Sequence, residues 1–414
     1  MRTVNYSEVL QLLSELAGIP YADLPTATAL TYRGALSRYF RKAWEVEYWP
    51  ELTRTDQRYY RPVWAAGTTY AAATEVFFKG NGAASQSYFQ SLRSGMPLSV
   101  LSLTGVGTTA TASTTPLHSL VTGDWVTISG VSPTGYNLTT QVTVTNSSDF
   151  TYTLASDPGA SGSGTMLCSP NPESSTGTTC VGWWYPCQSS YSGTTWTLAT
   201  AFAKGDVAYY AVNDTFYACH TASTGNLPTD TAYFGALTVF DKYVGYAQTG
   251  FTAIGDVRDV YTKNPLVNKT YATSNWTLSQ NGVQVPNGPN VVWLEYRTRF
   301  APLIGSDWAS GTSYAVGDQV LYNSSGSIKN FYTCIQATSS VAPSNTAYWT
   351  ILEIPYLFQP YMVHGAFADV LRMDGQMDKA AQQERLAEQY LEIEAAKLFN
   401  LQPQQQRMDM SAAY

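Results

Sequence analysis

Charge is scarce in this sequence. Lys, Arg, Asp and Glu together make up 13% of its 414 residues, the formal net charge is −7, and there are three histidines. A protein that holds nucleic acid by neutralising phosphates needs a basic face. The nearest thing to one is Arg38-Tyr39-Phe40-Arg41-Lys42, which reads as a solvated helix face, so nucleic-acid binding is not expected. Long apolar runs are also missing. Nothing approaches the roughly eighteen residues that a membrane-spanning helix needs. Glu8 and Glu15 interrupt the apolar run at residues 1–16, so no secretory leader is expected.

Cysteine is sparse and irregular. Cys168, Cys180, Cys187, Cys219 and Cys334 are odd in number and follow no framework spacing. Cys180 and Cys187 could pair with each other or with Cys168, but without an export signal reduced thiols packed as small hydrophobes are expected. The marks of chemistry are absent as well. His118, His220 and His364 have no Cys, Asp or His at metal-ligand spacing, and there is neither a Gly-x-Ser-x-Gly elbow nor a phosphate-binding loop. Asp124, Asp206 and Asp318 each follow a glycine, where a carboxylate stabilises a turn by accepting from nearby backbone N–H groups. No enzyme activity, no metal and no cofactor is expected.

What is present is the material of packed β structure. Hydrophobic residues are 44% and aromatics 14%, so substantial cores can form despite the low charge. Two stretches at the ends read as helical. Ser7 is placed to cap a helix with Val9, Leu10, Leu12, Leu13 and Leu16 on one face, ended by Gly18. A second helix starts near Thr26 or Thr28, carries Leu36, Phe40 and Trp44 at four-residue spacing, and stops at Trp49-Pro50. Near the other end, Tyr361, Phe367, Val370 and Leu371 mark a helix broken at Gly375. Another follows from Gln376 to Phe399 with Leu386, Tyr390 and Ile393 on one face.

The middle carries an internal repeat. Its clearest copy runs Trp308-x-x-Gly311-x-x-Tyr314-x-x-Gly317-Asp318-x-Val320, then Phe331-Tyr332-x-Cys334 and Tyr348-Trp349. A second has Trp196, Phe202, Gly205-Asp206, Tyr210, Phe216-Tyr217-x-Cys219 and Tyr233-Phe234. A third opens Trp64-x-x-Gly67-x-x-Tyr70 and lacks Gly-Asp, with Ala73-Thr74 in its place. It has no closing aromatic before residue 99, whereas Trp183-Trp184 follows residue 167. Between them lie short alternating strands such as Trp125–Ile128, Gln141–Val144 and Phe150–Leu154, so a separate module is expected to be inserted there.

The repeat resembles small aromatic-rich chitin- and cellulose-binding modules. In those, surface aromatics stack on sugar rings. This chain has Ile335-Gln336 and His220-Thr221 where such modules usually carry tryptophans. The aromatics Trp64, Tyr70, Trp196, Phe202, Tyr217, Trp308, Tyr314, Tyr332 and Trp349 are therefore expected either to contact glycan or to form each module's core, the core being favoured. Residues 99–167 are similar to a small β module of phage structural proteins, on Thr114-Thr115-Pro116-Leu117-His118, Thr122-Gly123-Asp124, Gly135-Tyr136-Asn137 and Phe150-Thr151-Tyr152.

With the modules set aside, the helical ends and the strands in 239–302 (Ile254–Tyr261, Trp276–Ser279, Gly282–Val285, Val291–Arg297) resemble head-to-tail adaptor proteins of tailed bacteriophages. The resemblance implies an α+β multidomain chain, a helical bundle from both termini plus a small β domain, with several inserted all-β modules. The pieces are the N-terminal helices at 1–62, a degenerate repeat at 63–98 and 168–190, the phage-type module at 99–167, a repeat at 191–238, the β domain at 239–302, a repeat at 303–352, the C-terminal helices at 353–400 and a docking tail at 401–414. It further implies a structural protein of the virion neck, assembled in the host cytoplasm. That protein forms a ring of about twelve copies below the portal. DNA would pass through without sequence-specific binding, which an acidic lining suits, and tail, nozzle or tail-fibre proteins would attach beneath. Leu386, Tyr390, Ile393, Leu398, Phe399, Leu401 and Tyr414 are the candidates for portal and ring contacts. The alternative is a tail appendage that grips host polysaccharide through the repeats.

Overall fold

The computed structural model describes residues 2–80, 86–172, 180–248, 250–268, 273–323 and 329–401, with side chains to Leu398. The chain divides into two units: residues 1–54, 254–256 and 296–414 form the first, and residues 55–253 and 257–295 the second.

The expectation of an α+β helical bundle built from both termini is overturned. Strand accounts for 33% of the chain and helix for 21%. Among the described residues there are four α-helices against eight separate sheets. The helices are α1 (Tyr6–Leu16), α2 (Thr26–Val46), α3 (Gln359–Met373) and α4 (Met377–Leu401). They do not bury their faces on one another alone. The core of the first unit mixes Val9, Leu13, Leu36, Phe40, Met362 and Ala366 from helices with Leu303, Phe331, Leu352 and Ile354 from loops and strands. The physical reason lies in the helix faces. α4 turns only Ala380, Ala387 and Leu391 fully inward, too little apolar surface to close a bundle. Strands supply the rest, and Thr3–Asn5 pairs antiparallel with Glu353–Pro355 beside the helices.

Local signals in the helices were partly superseded by distant ones. Ser7 is not a cap: it lies inside α1, and its backbone N–H donates to the side chain of Asn330 at 2.9 Å, a cap from far along the chain. Leu12 and Leu16, expected on the buried face of α1, are each 40% exposed. α2 keeps the stripe Leu36, Phe40 and Trp44 inside, and its last turn is held by Arg297. That guanidinium donates to the carbonyl of Trp44 at 2.8 Å and of Glu47 at 3.3 Å, and pairs with Asp256. A cation there complements the negative end of the helix. Gly375, at φ +76, ends α3 before α4 begins.

The second unit holds a seven-stranded antiparallel sheet. Its order is Thr139–Gln141, Trp125–Ser129, Leu167–Pro170, Leu98–Val106, Thr109–Thr115, Asp149–Thr153 and Thr143–Val144. Along Leu98–Val106 the inward residues are Leu98, Val100 and Leu103, a spacing that strict alternation forbids. A bulge explains it: pairing jumps from Val100↔Thr114 to Ser102↔Ser113, which leaves Leu101 without a pairing partner and turned to solvent. Strands at Ile254–Tyr261, Thr277–Leu278, Val283–Gln284 and Val291–Thr298 fall where the alternating sequence placed them.

The repeat is a small fold used three times with one register. In each copy a short segment runs parallel to the next strand, followed by two antiparallel neighbours. Asp307 pairs with Leu321, Thr195 with Tyr209 and Val63 with Phe77, always at the same spacing. The closing strands are Trp349–Ile351, Phe234–Ala236 and Trp184–Pro186. The last of these pairs with Ser87–Ser91 although the seven-stranded sheet lies between them in sequence. Gly205 and Gly317 take φ near +97 and +98, and Ala73 takes the same turn at φ +63.

Candidate interaction surface

The side chains that invite a chemical reading are committed to holding the fold. The carboxylates of Asp124, Asp206 and Asp318 accept the backbone N–H groups of Val121, Ala203 and Ala315 at 2.7 to 2.8 Å, one turn per module. The five cysteines are free thiols. Burial pushes all of them upward, Cys219 to about 11, and holds them protonated and unreactive.

The closest approach to a catalytic constellation is a buried group in the second unit, His118, Asp124 and Cys180. The Cys180 thiol donates to Asp124 at 3.4 Å, not to the histidine. His118 Nδ1 accepts the backbone N–H of Leu120 at 3.0 Å. All three are buried, so no substrate reaches them. His220 is also buried. Its Nδ1 is 3.0 Å from the Thr221 hydroxyl and its Nε2 3.2 Å from the Thr231 carbonyl, and burial, with Arg93 nearby, pushes it down to about 4. His364 stacks on Tyr390 and bonds Gln383 through Nδ1 at 2.8 Å. No group of three His, Cys, Asp or Glu able to hold a metal ion occurs among the described residues.

The repeat aromatics lie inside their modules. Tyr70, Phe202, Tyr217, Tyr314, Tyr332 and Trp349 are buried, and Trp64, Trp196 and Trp308 are half-buried. Trp349 sits edge-on to Tyr314 at 5.2 Å, and Trp184 holds the matching relation to Tyr70 at 5.4 Å. Trp196 meets Tyr210, and Trp308 meets Tyr322, at near-right angles. The buried rings have no free face to offer a sugar, and the half-buried Trp64, Trp196 and Trp308 are each held edge-to-face against a neighbouring ring.

The contact candidates on α4 are divided by the helix. Leu398 packs on the core of the first unit, and Leu386 is half-buried. Tyr390 is 38% exposed and Ile393 55% exposed, so neither is a core residue. The side chains of Phe399 and Leu401, the tail from 402 onward and Tyr414 lie outside the described residues. Ala380, Ala387, Leu391 and Ala395, not Leu386, Tyr390 and Ile393, form the inward stripe.

A second surface on the first unit was not found from sequence. Beside α2 runs a groove of about 420 Å³, floored by Leu30, Gly34, Phe300, Pro302 and Ile304. Leu30 is 52% and Ile304 59% exposed, a large share for such side chains. Arg33, Arg38 and Arg41 line it. Arg38 is tethered to Asp369 at 2.6 Å and Arg41 to Glu45 at 2.8 Å, which leaves donors of each fork unused. A deeper cleft of about 500 Å³ shares Leu30 and Arg33 and continues to Tyr6, Leu10 and Lys329. The arginine spacing on α2 was visible in the sequence, but the share of the floor that comes from residues 300–304 was not.

Set against known protein families, curated proteins and solved structures, the chain matches none. No helix among the described residues is long and apolar enough to cross a membrane. Candidate surfaces are therefore weighed on geometry: exposed apolar helix faces and an arginine-lined groove on the first unit.

Proposed function

We propose that this chain is a structural, non-catalytic protein of a tailed-phage virion, a head-to-tail adaptor that forms a ring of about twelve copies below the portal. One observation supports the scaffold reading most. Most of the repeat aromatics, four of the five thiols and two of the three histidines are buried, and the turn carboxylates accept backbone N–H groups of their own turns. What remains outward on the first unit is helix surface suited to packing, including Tyr390, Ile393 and the groove beside α2. In this reading the portal and the tail or tail-fibre proteins are the partners. DNA crosses the ring without a specific site, in keeping with the net charge of −7.

The interior position of the repeat aromatics weighs against the appendage reading, in which modules would stack host sugars. Gold-labelled antibody raised against residues 303–352 separates the two on intact virions. Label at the neck is expected, and label at fibre tips would replace the adaptor by an appendage.

A further inference from the structure

The first unit carries a surface whose character complements the groove beside α2. On α1, Glu8, Gln11, Leu12, Glu15 and Leu16 are all exposed and share one face. That face sets Leu12 and Leu16 beside two carboxylates, with Gln11 steadying Glu15 at 2.8 Å. The groove is the converse: an apolar floor flanked by arginines. Glu8 and Glu15 are separated by about 10 Å along their helix axis, and Arg33 and Arg41 by about 12 Å along theirs, at 1.5 Å per residue. Gly34 lies between the arginines, and a Cβ built there would meet nothing within 4 Å, so the helix surface is open to close approach. Leu12 and Leu16, 40% exposed, are of the size such a notch takes. An apolar floor is poor for a phosphate backbone and good for a helix face.

We propose that the α1 face of one copy docks in the α2 groove of a second copy. The paired elements are Glu8 and Glu15 against Arg33 and Arg41, with Leu12 and Leu16 over Gly34 and Ser37. The two patches differ, so the contact is head-to-tail, the kind that closes into a ring when the rotation between copies permits. This inference rests on the ring reading above and names the faces that would make the ring.

Cross-linking of the full chain tests it. Leu12→Cys combined with Ser37→Cys is treated with a short bismaleimide in free solution, where four native thiols are buried and Cys187 is partly so. A ladder of dimers, trimers and higher species is expected. Neither single-cysteine variant should give one, but an equal mixture of the two should give dimers. Adding Glu8→Arg and Glu15→Arg should cut the ladder at least tenfold, and adding Arg33→Glu and Arg41→Glu as well should bring it back to within twofold. Absence of the ladder, insensitivity to the charge reversal, or cross-linking by Leu12→Cys alone overturns the proposal. Portal binding is scored on the same preparations. A portal-bound ring without the ladder rejects this contact and leaves the adaptor reading, whereas a ladder without portal binding does the opposite.

Discussion

The backbone N–H of Trp308 donates to the carbonyl of Leu321 at 2.9 Å, and the bond has two replicas, Trp196 to Tyr209 at 2.9 Å and Trp64 to Phe77 at 2.8 Å. The correspondence runs on through each copy. Gly317 donates to Cys334, Gly205 to Cys219 and Ala73 to Ser91. Ile335, His220 and Leu92 then reach back to the carbonyls of Tyr348, Tyr233 and Trp183. Three sequences with few shared residues keep one hydrogen-bond plan, which makes the differences between copies informative.

Ala73 is the first such difference. It sits at φ +63 where the other copies have glycine. A left-handed conformation costs an L-residue roughly 1–2 kcal/mol, part of which glycine's greater unfolded entropy offsets. Ala73→Gly should therefore raise stability by about 0.5–1 kcal/mol, seen as a higher urea midpoint for the second unit. A lower midpoint would mean that the turn is not strained.

Trp349 and Trp308 should respond differently to truncation. Trp349 is fully enclosed, edge-on to Tyr314, with its indole N–H donating to the Val341 carbonyl at 2.9 Å. Trp349→Ala should cost about 3–5 kcal/mol and open residues 303–352 to proteolysis. Trp308 is half-buried, and Trp308→Ala should cost less. Equal costs would show that the module's core has been misplaced.

Arg297 anchors the end of α2. Arg297→Met leaves the Trp44 and Glu47 carbonyls without their donor and should cost about 2 kcal/mol. Its partner Asp256 is more than half exposed. Asp256→Asn should therefore cost well under about 1 kcal/mol. Chemical denaturation of both variants checks the asymmetry, and a larger loss from Asp256→Asn would contradict it.

His220 supplies a pH dependence. Its folded value, about 4, lies below the ordinary histidine value, so between the two the unfolded chain binds more protons than the folded one. Its contribution is therefore complete above pH 6.5 and is lost as pH falls toward 4. One pKa unit is worth about 1.4 kcal/mol, so the whole loss is at most about 3.5 kcal/mol. Denaturation midpoints at pH 7.5 and 4.5 should differ less in His220→Gln than in the wild type. The same difference in both would remove His220 as the cause.

Much of the repeat could be read from the sequence because its plan depends on local spacing. The interval from Trp308 to Tyr314 recurs between Trp196 and Phe202 and between Trp64 and Tyr70, and each interval fixes a turn and a strand start. Gly375 ends α3 for an equally local reason, whereas α2 stops at Val46, before Trp49-Pro50 is reached. The failures share a different cause. Asn330 caps α1 and Arg297 caps α2 from far along the chain, and no periodicity reports such partners. Periodicity also measures the width of an apolar face without saying what covers it. Leu12 and Leu16 share the apolar face of α1 in the pattern yet are exposed, and strands and loops take the places that partner helices were expected to fill. The bulge at Leu101 shifted one strand's faces in a way no alternation rule contains. The groove beside α2 could not be seen because Phe300, Pro302, Leu303 and Ile304 of its lining lie far along the chain from α2.

The most direct test of the adaptor reading is the mass of the native protein, alone and then mixed with the portal protein of its phage. The account predicts a portal-bound ring of about twelve copies that the protein does not complete as a stable particle by itself. A stable trimer that ignores the portal would contradict it.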